Sequence, residues 1–136
     1  MVVTEREQHE QGLAQFVVPS WRTRFRESLD SPKRRKKLRS QLAHFAHLDP
    51  RFATGVPSSE QATLASKLRA KGAGDRCYLL SESSDLDGRE MDLNDALAHV
   101  FGAGSYDATF VSCLPGRLAY FHDEPPESDY LLEHSG

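Results

Sequence analysis

An α+β fold is predicted for this chain of 136 residues by three observations. Helix-period apolar stripes with cap residues dominate the first half, β-rich runs dominate the second, and one further helix-period segment interrupts those runs. The expected architecture is a set of N-terminal helices packed on a small, mostly antiparallel sheet of 3–4 strands. One helix is inserted between strands, a C-terminal β-hairpin closes the sheet, and the helices cover one of its faces. The length suits one domain that buries roughly two thirds of its unfolded surface.

Residues 1–12 show weak periodicity ending at Gly12, so residues 1–15 read as a frayed or mobile arm. Ser20 after Pro19 is a candidate N-cap, and Trp21, Phe25 and Leu29 then form one apolar stripe, with Arg22 and Arg26 together on another face. Ser31-Pro32 repeats the start signal, with proline at the first helical position, where its missing N–H costs nothing. A second helix is expected from 32 to about His47, stopping before Asp49-Pro50. Ser58 with Gln61 has the spacing of a capping box for a third helix buried through Leu64, Ala65 and Leu68 and ended by Lys71-Gly72-Ala73-Gly74.

Arg76 to Ser81 reads as a strand buried on both sides. Asp92 caps a fourth helix whose stripe is Leu93, Leu97, Val100 and Phe101, with Gly102 beyond it. Tyr106 to Leu114 and Arg117 to His122 form a hairpin across Pro115-Gly116. L-Pro-Gly favours a type II turn, whose twist suits a two-residue hairpin poorly, so a wider loop competes with tight pairing of 114 with 117. Residues 16–123 form the single domain, and 124–136, with Glu-Pro-Pro-Glu and further acids, read as a flexible acidic tail.

Charge is split end from end. Residues 1–74 carry 14 Lys and Arg against 7 Asp and Glu, while residues 75–136 carry 3 against 13, which together give the net −3. Nine of the cations fall between Arg22 and Arg39, opposed locally only by Glu27 and Asp30. On a helical wheel Leu38, Leu42 and Phe45 define a buried face, and Lys33, Lys36, Lys37 and Arg39 project opposite to it, with Arg34 and Arg35 flanking the stripe. The function expected is therefore non-enzymatic binding or regulation, through Arg22, Arg26, Lys33, Lys36, Lys37 and Arg39. The partner is anionic, either a nucleic acid backbone or an acidic protein surface. The competing account is a solvated face balanced by the acidic half of the same chain. A related possibility is autoinhibition, with Asp123, Glu124, Glu127, Asp129 and Glu133 lying on the basic helix.

Two other function classes are carried forward. Asp85, Asp87 and Glu90 gather around Gly88 and would hold Mg²⁺ or Ca²⁺ in a small metal-dependent enzyme, although a calcium loop aligned on Gly88 lacks its bidentate glutamate. An interaction protein working as a homo-oligomer would bury apolar surface left by Trp21 and the hairpin. His44 and His47, one turn apart, share a face with Lys33 and Lys36, which repels a metal cation from them. Cys113 and His122 lie on opposite hairpin strands about four ladder positions apart, too far for proton transfer. Phosphate-binding glycine loops, nucleophile elbows, His-Glu-x-x-His and Cys-x-x-Cys are absent, and no cofactor is expected.

No apolar run approaches the ~18 residues of a membrane span, so no membrane partner is expected. Met1 to Gln11 is polar where a secretory signal needs an apolar core. Cys77 and Cys113 read as reduced, packed thiols, and the expected location is cytoplasmic.

Overall fold

The computed structural model describes residues 4–43, 45–102, 107–123 and 129–134. Helices α1 (Glu5–Gly12), α2 (Arg22–Ser28) and α3 (Pro32–Ser40) come first. Strand β1 (Ala53–Val56) and helix α4 (Leu64–Ala70) follow, then β2 (Arg76–Ser81), β3 (Glu90–Asp92) and α5 (Leu93–Val100). The chain closes with β4 (Thr109–Leu114), β5 (Leu118–His122) and β6 (Asp129–Glu133). The six strands form one antiparallel sheet in the order β1-β6-β5-β4-β2-β3. The α+β class holds, and the expected 3–4 strands is an undercount. β1 and β3 are too short to show a period-2 pattern, and β6 lies inside a segment whose composition is that of a tail.

Helices cover both faces of the sheet, not one. Alternation along the strands feeds two cores. Cys77, Leu79, Val111, Tyr120 and Leu131 pack under α4 and α5 with Leu64, Leu68, Leu93 and Leu97. Leu80, Phe110, Ala119, Phe121 and Leu132 pack under the N-terminal helices with Leu13, Phe16, Phe25, Leu38 and Phe45. Burial on both sides is why β2, β4 and β5 read as continuous apolar runs. β1 comes from the basic half of the chain and pairs with β6 from the acidic half, Ala53 opposite Leu132 and Val56 opposite Asp129. The Gly72 region is therefore a helix stop within one sheet. Gly72 sits at φ 114° and Ala73 N–H donates to Leu68 O at 3.0 Å, closing α4 in the manner of a left-handed C-cap.

Part of the segment expected to fray forms α1, capped by Thr4, whose side chain accepts from Glu7 N–H at 3.1 Å. His9 and Glu10 are buried, His9 stacked on Tyr78 with its Nδ1 2.7 Å from Ser112 Oγ. Polar contacts pin this helix, which is why it carries no apolar stripe. Residues 129–133, whose composition reads as tail, form β6 between β1 and β5 with Leu131 and Leu132 buried on opposite faces. Residues 124–128, 135 and 136 of that segment lie outside the described residues.

Ser31 caps α3 as expected, accepting from Arg34 N–H at 3.2 Å with Pro32 at the first helical position. The helix ends at Ser40 rather than near His47. Beyond it the chain is drawn against the segment after α1: Val18 N–H donates to His47 O at 2.8 Å, Asp49 N–H to Phe16 O at 2.8 Å, and Leu48 bridges Val17. These tertiary hydrogen bonds override helix propensity. Ser20 lies in a short 3-10 turn, Pro19–Trp21, and Trp21 takes the cap position of α2 without a side-chain bond. The Ser58 and Gln61 pair is likewise part of a 3-10 turn, Ser58–Thr63, with no side-chain cap at its start.

Asp92 caps α5 through Oδ2, which accepts from Asn94 and Asp95 N–H at 3.0 and 3.2 Å. In the β4–β5 hairpin, Thr109 pairs with His122 and Ser112 with Ala119. The register then slips and Leu114 pairs with Leu118. Arg117 N–H closes the turn on Leu114 O at 3.0 Å with Gly116 at φ 70°. The type II geometry of Pro115-Gly116 is thus kept, and the slip at Cys113 absorbs its mismatch with strand twist. Tyr106, the expected start of β4, lies outside the described residues.

Candidate anion-binding surface

The nine cations between Arg22 and Arg39 separate into three that build the fold and six that do not. Arg35 forms a two-pronged bond to Asp87, Nε to Oδ2 and Nη2 to Oδ1 both at 2.9 Å, and reaches Glu10 Oε2 at 2.6 Å. Burial alone would lower its pKa, but the bonds to Asp87 and Glu10 outweigh that and raise it. Arg39 donates through Nε to Ser81 O at 2.8 Å and through Nη2 to Glu82 O at 3.1 Å, and lies 3.4 Å from Asp87 Oδ2. Arg22 donates to Val17 O at 3.0 Å and Gln15 O at 3.4 Å, with Asp49 Oδ2 3.7 Å away. Arg22 and Arg39, expected from sequence to be binding residues, direct their guanidinium groups to partners within the fold. Their side chains fasten α2 and α3 to the sheet and to the segment after α1.

Arg24, Arg26, Lys33, Arg34, Lys36 and Lys37 remain, and among the described residues none of them forms an ion pair. All but the half-buried Arg26 are exposed. Lys33, Lys36 and Lys37 lie on the outward side of α3, because its inward side is fixed by Leu38, Arg35 and Arg39. Arg24, Arg34 and Lys37 border a groove of about 300 Å³ between α2 and α3, with Trp21 and Leu38 as its apolar lining and Glu27 as its one acid. Trp21 is stacked on His47 with ring centroids 3.9 Å apart and planes 9° apart, while the Arg24 guanidinium lies over the indole at 5.7 Å. The His47 ring fixes the indole in place, and Phe45 meets it edge-on at 6.0 Å.

Sequence alone places Trp21 in the core stripe and leaves Arg24 and Arg34 off the site. Their spacings, Trp21 to Arg24 and Arg34 to Lys37 at i, i+3, put each pair on one helix face. That two such pairs face one another across α2 and α3 follows only from the packing.

Among the described residues, the acidic half does not cover this surface. Asp129 lies on β6 against the opposite core, where its Oδ2 accepts from Tyr120 Oη at 2.6 Å. Glu133 pairs with Lys71 at 2.5 Å. Both therefore depart from the autoinhibition expectation. Glu124 and Glu127 lie outside the described residues. The acids that do meet the basic helix are Glu10 and Asp87, and they meet its inner side.

Asp85, Asp87 and Glu90 do not converge. Asp87 is held by Arg35 and Arg39 and accepts Ser81 N–H at 3.0 Å. Asp85 is exposed, and Glu90 accepts from Tyr78 Oη and from Arg76 Nη2 at 2.8 Å, which together hold its pKa down. Among the described residues no group of three or more His, Cys, Asp or Glu is placed to hold a metal ion. His44 lies outside the described residues, His47 is spent on Trp21, and His99 is exposed at the end of α5.

One buried polar cluster has no signal in the sequence, because Asp129 sits in a stretch with the composition of a tail. Asp129 Oδ2 lies 2.9 Å from His122 Nδ1, and its Oδ1 accepts Asp123 N–H at 3.1 Å. Among the described residues His122 Nε2 is buried without a hydrogen-bond partner, and its ring meets Phe101 edge-on. A carboxylate orienting an imidazole resembles a general-base pair, but both side chains are buried. Cys113 stands at the other end of the hairpin from His122, which pairs with Thr109 as expected, although the slip sets Leu114 rather than Cys113 opposite Leu118. Among the described residues no helix is long and apolar enough to cross a membrane. Comparison with family models, curated proteins and solved structures returns no match for the chain.

Proposed function

We propose that this chain is a non-catalytic binding protein whose partner is a nucleic-acid-like polyanion, held on the outward surface of α2 and α3. One observation carries the reading: every described acid near the basic segment that forms an ion pair does so on the inner side, leaving the five exposed cations Arg24, Lys33, Arg34, Lys36 and Lys37 without one among the described residues. A fold that consumed its cations internally would leave no such excess of charge. Contacts led by phosphate would be weakly sequence-specific, since Lys and Arg on the backbone carry no base information.

Binding of fluorescent random oligonucleotides from about 50 to 300 mM salt tests it. Five neutralised phosphates give log K against log salt a slope of about −4.5 on duplex and about −3.5 on single strands. The combined reversal Lys33→Glu, Lys36→Glu, Lys37→Glu should abolish binding while leaving the melting temperature unchanged, because these side chains face water. Arg39 is left out of the set, since its loss would act on the fold. Binding retained in the triple variant removes α3 as the site. Absence of binding at the lowest salt, with selective capture of an acidic protein instead, replaces the polyanion with a protein partner.

A further inference from the structure

We infer that the groove between α2 and α3 takes one unpaired base of a single-stranded nucleic acid against Trp21, while Arg24, Arg34 and Lys37 hold the flanking phosphates. This rests on the polyanion reading above and narrows it. A surface that met only phosphate would need cations alone. Here an indole and Leu38 line a groove of about 300 Å³ among three cations. Combining a basic track with an aromatic platform is the arrangement that single strands require, because every base has a π-face to stack. A duplex keeps its bases stacked on one another and offers none to a slot between helices. An acidic peptide would use the cations but gain little from the ring. The indole is also held in place before any base arrives, backed by His47 stacked at 3.9 Å, so little side-chain entropy is lost on binding. The Arg24 guanidinium now over the ring would yield that position to the base and turn to the adjoining phosphate.

Trp21 is the chain's one tryptophan, so its intrinsic fluorescence reports on this groove without a label. Oligo-dT, oligo-rU, a duplex of equal length and inorganic polyphosphate are titrated into the full-length protein at low salt. Both single strands should quench Trp21 saturably, and polyphosphate should bind without quenching. With affinities read by anisotropy of dye-labelled strands and by polyphosphate competition, since these variants lack the indole, Trp21→Leu should weaken single-strand binding about tenfold and leave polyphosphate affinity unchanged, with Trp21→Phe close to wild type. Melting curves confirm that each variant is folded, and the wild-type quench needs no variant at all. Equal affinity for polyphosphate and single strands with Trp21 fluorescence unmoved would overturn base stacking while the polyanion reading survived. Tighter binding of duplex than of single strand would overturn it as well. Binding to none of the four would remove both readings.

Discussion

Arg35 on α3 and Asp87 in the β2–β3 connection, fifty-two residues apart in sequence, meet in a two-pronged bond with both contacts at 2.9 Å. Their side chains are 13% and 10% exposed. Glu10 of α1 completes the junction at 2.6 Å from Arg35, so one guanidinium ties together the first helix, the basic helix and the sheet. Asp87→Ala leaves that guanidinium short of its partner in a place poorly reached by water. The expected loss is about 3 kcal/mol, read as a lower urea midpoint with unchanged slope. Lys33→Ala, on the exposed side of the same helix, should stay within about 0.5 kcal/mol of wild type. Equal midpoints for Asp87→Ala and wild type would mean that the junction does not form. Titration with Mg²⁺ or Ca²⁺ should leave the wild-type melting temperature unmoved, because Asp87 is already committed to arginine.

Gly12 closes α1 where the helix abuts the β4–β5 turn. A Cβ at this position would stand 2.4 Å from Gly116 N and 3.0 Å from the Pro115 carbonyl carbon. These are backbone atoms of a turn already fixed by Gly116 at φ 70°, so neither side yields easily. Gly12→Ala should cost about 2 kcal/mol or more, despite alanine being the better helix former. Gly55→Ala on β1 is the control, since nothing lies within 4 Å of its added methyl. Thermal melts of the two variants should differ in sign or in size; matching melts would mean that α1 stands off from the turn.

What could be read from sequence follows from which signals are local. Ser31-Pro32, Asp92 and the stripe Leu93, Leu97 and Val100 act within one or two turns of chain, and the structure keeps all of them. The two-sided burial of β2, β4 and β5 is legible as apolar runs, though not which helices lie on which side. β6 is not legible, because Asp129 and Glu133 enclose only Tyr130, Leu131 and Leu132, and the preceding Glu-Pro-Pro-Glu dominates the composition. Asp129 is nonetheless buried, paired to Tyr120 and His122, and a buried carboxylate with fixed partners looks no different in sequence from a solvated one. The same blindness applies to the basic segment. Its charge is evident, but the division into inward Arg22, Arg35 and Arg39 and outward Arg24, Arg34 and the lysines depends on Glu10, Asp49 and Asp87, which lie elsewhere in the chain.

His9 should make stability fall as pH drops below neutrality. Its ring is buried against Tyr78 and bonded to Ser112, and burial lowers its pKa from the usual 6.5, with Glu5 and Glu90 opposing the shift in part. Since the folded chain binds this proton less readily than the unfolded one, the unfolded state gains protons first as pH falls. Stability is then fully present above about 6.5 and declines as pH falls from there towards the lowered folded value. Asp49 and Glu90, whose pKa values are held down by Arg51 and by Tyr78 with Arg76, add their losses only in the lower carboxylate range. Urea unfolding at pH 7.5 and 5.5 separates the two ranges. His9→Gln, which keeps a hydrogen-bonding side chain towards Ser112, should flatten the difference between those two pH values. An undiminished difference in the variant would assign the proton uptake to another histidine.

Cys77 and Cys113 should be silent towards thiol reagents until the sheet opens. Tyr78 pairs with Ser112 across β2 and β4, and Cys77 and Cys113, the chain neighbours of that pair, lie in the same core. Both are free thiols, 0% and 5% exposed. Burial pushes each pKa up to about 12, and for Cys113 the neighbouring Cys77 adds to the effect. The attacking species is the thiolate, which is scarce at pH 8 when the pKa is that high and out of reach when the sulfur is covered. Ellman's reagent at pH 8 should therefore label neither residue in the native protein and both in about 6 M guanidinium chloride. In intermediate urea the labelling rate should track global unfolding, because the two sulfurs sit in the core under α4 and α5 rather than at a fraying end. Rapid labelling of Cys113 alone in native buffer would show that the register slip beside it opens independently of the sheet. Asp87→Ala should raise the labelling rate of both thiols by the same factor by which it lowers the folding equilibrium, about a hundredfold for the ~3 kcal/mol expected of that pair.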